Sequence, residues 1–210
     1  MFNQPRFGRR LALIALTLMT ATQLAAQQPA PAAGTPSEAP TKQSPLRFSA
    51  FNVSMPTGQA GVTEIVIERW TTGDERTALL GLVETAKIGE SGQHKLLAAL
   101  QKINPRTGYI RTPNSVGWDL RYAGENTLPD GTRQIVIATD KPVSFAAAAS
   151  DSRAMDYPFT LIEMRMKAND KGEGKMLAAT SISVKNGRLE LENYGQEPVR
   201  LTNISEHQKK

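Results

Sequence analysis

KMLAATSISVKNGRLELENY (175–194) sets an Asn-Gly dipeptide between two stretches of alternating side chains. Both central positions of a two-residue hairpin turn need positive φ, which Asn and Gly tolerate better than other residues. The stretch therefore reads as an antiparallel hairpin, 175–185 against 188–194, and it predicts a chain built by consecutive strand pairing.

The residues on either side follow the same period of two. RFSAFNVS (47–54) places Phe48, Ala50 and Asn52 on one face and Arg47, Ser49, Phe51 and Val53 on the other. VTEIVIERW (62–70) sets Ile65 and Ile67 against Glu64 and Glu68. YIRT (109–112) is short and extended, with Pro113-Asn114 as a turn after it. VGWDLRYA (116–123) is the cleanest alternation, with Trp118, Leu120 and Tyr122 on one face and Asp119 and Arg121 on the other. Pro129-Asp130-Gly131 marks a turn. RQIVIAT (133–139) is nearly continuously apolar and predicts burial on both faces. FTLIEMRM (159–166) sets Ile162, Met164 and Met166 against Leu161, Glu163 and Arg165, and 199–204 closes the sheet.

Two helices interrupt the strands. Thr72 stands three residues before Glu75, the spacing of a capping box, and Leu79, Leu80, Val83 and Ala86 recur at helical spacing before Gly89. A second helix begins near Ser91 or Gly92, carries Leu96, Leu97, Leu100 and Ile103, and ends at Asn104-Pro105. The expected class is α+β, mainly β. About nine mostly antiparallel strands form a curved sheet or barrel, with one inserted helical pair at one end.

The N-terminal residues predict export. Arg6, Arg9 and Arg10 precede the apolar run 11–18, and Leu24-Ala25-Ala26 offers small residues for cleavage, so 1–26 reads as a secretory signal peptide. The apolar run is too short for a transmembrane span, and no span is expected after cleavage. Residues 27–45 hold five prolines and no aromatic residue, the composition of a disordered linker. The expected folded domain is 46–206, followed by a frayed tail, 207–210. The expected destination is the periplasm or the cell exterior.

Composition excludes several chemistries. There is no Cys, which removes disulfides, thiolate metal sites, cysteine nucleophiles and cysteine-anchored lipidation. Only His94 and His207 supply imidazoles. Three of the 25 basic residues belong to the expected signal, so the formal charge falls from +5 to +2 on cleavage. The remaining cations are scattered, and no nucleic-acid footprint is expected. Asn169–Gly174 lacks the distal bidentate acid of a calcium loop and reads as a loop between strands. No metal and no cofactor are expected. Ser91 beside His94 reads as a helix cap. Asp119, Asp140, Asp156 and Glu163 are the acids a carboxylate-based hydrolase would draw on, although Asp119 beside Arg121 reads as a surface ion pair. No residue is assigned as catalytic.

GYIRTPNSVGWDLRYA (108–123), RQIVIATDKPVSF (133–145), DYPFTLIEMRM (156–166), GEGKM (172–176) and LENYGQEPVRLTNI (191–204) resemble a group of uncharacterised exported bacterial proteins. The resemblance covers about 48–204. It implies an envelope or secreted protein and carries no activity or site residue with it.

The functional expectation is a non-enzymatic exported domain that binds a small apolar or amphipathic ligand. Trp118, Tyr122 and Met164 are its candidate lining, and core packing is the competing role for all three. The alternatives are a structural or protein-interaction module of the envelope, partnered by an envelope protein, and the carboxylate-based hydrolase.

Overall fold

The computed structural model describes residues 39–53, 60–85, 90–112, 115–143, 157–185, 188–193 and 197–207. The chain divides into two units, 1–33 and 34–210, and all described residues belong to the second. The expected signal peptide lies outside the described residues, as do Gly89, Asp156 and the Asn186-Gly187 turn. Of the expected linker, 39–45 are described. Pro40 is buried, and the Thr41 N–H donates to the Ser44 carbonyl at 3.1 Å.

Nine strands form. They are β1 (Leu46–Val53), β2 (Ala60–Ile67), β3 (Gly108–Arg111), β4 (Trp118–Thr127), β5 (Arg133–Thr139), β6 (Phe159–Met166), β7 (Lys171–Lys185), β8 (Arg188–Asn193) and β9 (Val199–His207). Two helices, α1 (Gly73–Thr85) and α2 (Glu90–Gln101), stand between β2 and β3. Each strand from β1 to β7 pairs antiparallel with the next. β9 then inserts between β7 and β1 and closes an eight-stranded barrel. Closure gives each of the eight barrel strands a partner on both sides, and β8 alone among the described strands is left as an edge strand. β8 pairs only with the distal part of β7, Thr180–Lys185, and Lys185 is opposite Arg188. The expected hairpin is therefore present over 180–185 and 188–193, while Lys175 and Met176 pair with β6 and β9 instead.

β1, β3, β5 and β7 run toward one end of the barrel, called upper here, and β2, β4, β6 and β9 run back. Interior positions follow the alternation: Phe48 and Ala50, Ile65 and Ile67, Ile110, Leu120, Ile135 and Ile137, Ile162, Met164 and Met166, Met176, and Leu201 form one cluster. Most of these side chains are fully buried, so the middle of the barrel is a packed core. Gly172 and Gly174 face Met166 and Met164 in the register. A Cβ on Gly174 would stand 2.3 Å from the Glu163 carbonyl oxygen, so glycine is what allows β7 to come this close to β6.

The helices lie along the outer wall rather than capping one end. Leu79, Leu96, Leu100 and Ile103 pack with Phe159 and Ile182 in a second cluster, joined by Leu82, Val83, Leu97, Tyr122 and Leu161. The Gln93 side-chain amide bonds both backbone groups of Ile182 and fixes α2 to β7. Leu80, expected on the apolar face, is 56% exposed.

Some boundaries differ from expectation. Lys171–Gly174 are strand, so the loop after β6 is only 167–170. His207 closes β9 and pairs with Arg47, so it is no part of a frayed tail. α2 begins at Glu90, so Ser91 is already inside the helix rather than before it.

Candidate functional site

The antiparallel order brings particular residues to the upper end. β1 delivers Asn52 there, β2 carries Gly61 and Thr63 in its first half, and β4 starts with Trp118. Asn52 follows Phe48 and Ala50 at period two, and Thr63 precedes Ile65 and Ile67, so both face the barrel interior. They are diagonal neighbours, because Asn52 is opposite Gly61 and Ala50 is opposite Thr63. On its other side Asn52 is opposite Leu201 of β9. The missing side chain at Gly61 gives the amide its place: a Cβ there would stand 3.1 Å from Asn52 Oδ1.

Asn52 is 1% exposed and Thr63 is 0% exposed, yet Asn52 Oδ1, Asn52 Nδ2 and Thr63 Oγ1 have no hydrogen-bond partner. A buried polar group without a partner costs about 1–3 kcal/mol. Two buried threonines at the upper ends of β5 and β6 show the usual alternative. Thr139 donates its hydroxyl to the Lys141 carbonyl, and Thr160 donates to the Ala178 carbonyl at 2.7 Å. Thr160 Oγ1 also accepts from the Val143 N–H.

Trp118 is partly buried against the interior cluster. Outside the same end, Phe51 (41% exposed) pairs across strands with Val62 (53% exposed), and Val116, two residues before Trp118, is fully exposed. The upper end therefore combines exposed apolar side chains on the outside with neutral polar groups buried inside.

The lower end is different. Arg133, at the start of β5, faces inward below Ile135. It donates to Glu125 and, at 2.7 Å, to Glu206. Burial works against its charge, but these two carboxylates outweigh burial and raise its pKa. Arg133 Nη2 has no partner.

Of the three candidate lining residues, two share the interior cluster at different levels: Trp118 begins β4 at the upper end, while Met164 is opposite Ile135 toward the lower end. Trp118 and Met164 belong to the interior cluster, with Met164 fully buried in its packed part. Tyr122 is on the other side of the wall, against the helices. A bulge between Leu120 and Tyr122 shifts the β4–β5 register, so Ala123 rather than Tyr122 continues the inward face. The alternation of β1 puts Asn52 on the face of Phe48 and Ala50, as the structure has it. A lone amide on an otherwise apolar strand face is the signal that marks it.

Among the described residues, Asp119, Asp140 and Glu163 do not assemble a hydrolytic pair, and Asp156 lies outside them. Asp119 and Asp140 share the Arg121 guanidinium at 3.4 and 3.3 Å, and Arg106 bridges Asp119 to Glu68. Glu163 lies on another wall. Its burial raises its pKa, but bonds from Gln134, Arg165 and Lys175 outweigh this and hold it below the usual carboxylate value. His94 is exposed, and His207 bonds Ser49 Oγ at 2.7 Å on the outer surface. Among the described residues no group of three or more His, Cys, Asp or Glu side chains is placed to hold a metal. Among them, too, no helix is long and apolar enough to cross a membrane. Comparison with protein-family models, with characterised proteins and with solved structures finds no match to this chain.

Proposed function

We propose that the protein is an exported binding domain that holds a small apolar or amphipathic ligand at the upper end of its barrel. The observation that carries this reading is the pair Asn52 and Thr63, buried without partners inside an apolar interior. A ligand seated there would supply the missing hydrogen bonds and cover Trp118. The filled lower core limits the ligand to a short reach into the barrel. Export rests on the basic and apolar N-terminal run and on the resemblance to exported bacterial proteins.

The test is native mass spectrometry of the protein recovered from the cells that make it, followed by denaturation. A stoichiometric released molecule is the expected result. A bare chain from every preparation, with no probe bound on titration, overturns the reading.

Phe51, Val62 and Val116 favour a second reading, an envelope interaction module that docks a protein partner on the upper rim. Substituting Phe51 and Val62 by Ser separates the two. Loss of a protein partner with retained small-molecule binding supports docking, whereas neither substitution alters an interior ligand.

A further inference from the structure

We infer that the ligand carries an uncharged head group that both donates and accepts hydrogen bonds, such as a hydroxyl or a carboxamide, on a short apolar body. The inference rests on the binding reading above and narrows its ligand class. Asn52 presents a donor, Nδ2, and an acceptor, Oδ1, and the Thr63 hydroxyl can serve as either. Their neighbours on the interior face are Phe48, Ala50, Ile65 and Leu201, none of which carries charge. The interior charges, Arg133, Glu125 and Glu206, are at the opposite end and bonded to one another.

A carboxylate seated beside Asn52 would lose its hydration with no cation among the described interior residues at this end to offset the loss. An ammonium would find acceptors but no anion. A plain alkane would leave all three protein atoms unpaired. A hydroxyl can accept from Nδ2 while donating to Oδ1, and a primary carboxamide can pair with both at once. Neutral donor–acceptor heads are thus the class that satisfies this site without a buried net charge.

The experiment titrates the purified full chain with 1-octanol, octanamide, octanoate and octylammonium, following tryptophan fluorescence and the side-chain amide resonances of Asn52. The expected result is at least tenfold tighter binding of the two neutral probes, with shifted Asn52 resonances. Asn52→Leu and, independently, Thr63→Val are expected to erase most of that preference. Both are near-isosteric with the residues they replace, and circular dichroism verifies that each variant folds. If octanoate or octylammonium binds as tightly as octanol, the head-group inference falls while the binding reading stands. If the neutral probes bind and both folded variants keep the full preference, the head lies elsewhere and the inference also falls. If no probe binds, both readings fall together.

Discussion

Thr63 shows what one hydroxyl does inside a barrel. Its Oγ1 is buried with no partner, so the folded state carries a penalty that a methyl group of the same shape would not. Thr63→Val is therefore expected to stabilise the unliganded protein by about 1 kcal/mol, since apolar replacement of an unpaired buried group is neutral or favourable. Urea unfolding checks this, and a loss of stability would mean that the hydroxyl has a partner. Gly174→Ala is expected to act in the opposite sense. Its new Cβ would meet the Glu163 carbonyl at 2.3 Å, and overpacking of this kind costs about 1–3 kcal/mol. The residue scale is also where sequence reading succeeded and failed most sharply. The inward faces of β1, β2 and β6 were legible because strict alternation survives there. Tyr122 was not, because one bulge in β4 reverses every face beyond it, and no residue type in VGWDLRYA announces an extra residue in the strand.

At the scale of the element, α1 is held at its start by a reciprocal pair. The Thr72 N–H donates to Glu75 Oε2 at 2.9 Å, and the Glu75 N–H donates to Thr72 Oγ1 at 3.3 Å. This capping box was legible from spacing alone, because it depends only on local sequence. Its second half was not. Arg69 forks onto both Glu75 oxygens at 2.8 and 2.9 Å and also donates to the Pro105 carbonyl. The carboxylate thereby ties the start of α1 to the chain that returns from α2. Thr72→Ala is expected to lower stability by about 1 kcal/mol, the usual loss for an N-cap. The Arg69 hydrogen bonds, foremost, hold the Glu75 pKa below its ordinary 4.5. A carboxylate with a depressed folded pKa contributes stability that is fully present above the unfolded value. That stability is lost as pH falls through the folded value. Glu75→Gln is therefore expected to flatten the acid limb of a thermal-midpoint-against-pH profile. An unchanged limb would show that the fork is not holding the carboxylate.

Across the whole molecule, closure is the feature that local patterns could not supply. The strand count and the antiparallel order follow from alternation and turn residues. The β1–β9 pairing joins Arg47 to His207, and only the global register reveals it. Closure gives the barrel two unlike ends, and the lower one is plugged by Arg133 between Glu125 and Glu206. Arg133→Leu would leave two inward carboxylates without their cation. It is expected to destabilise the protein by about 2 kcal/mol at neutral pH, less than the roughly 3–5 kcal/mol of a fully buried pair because the three side chains keep some solvent contact. Denaturant titrations of Arg133→Leu and of the unsubstituted chain at neutral pH measure the difference, and equal stability would mean that the two carboxylates do not depend on Arg133. Under the binding reading the same plug fixes the direction of access. Octanol affinity at the upper end is expected to survive Arg133→Leu in a folded sample, because the Asn52 and Thr63 groups that receive it do not touch Arg133.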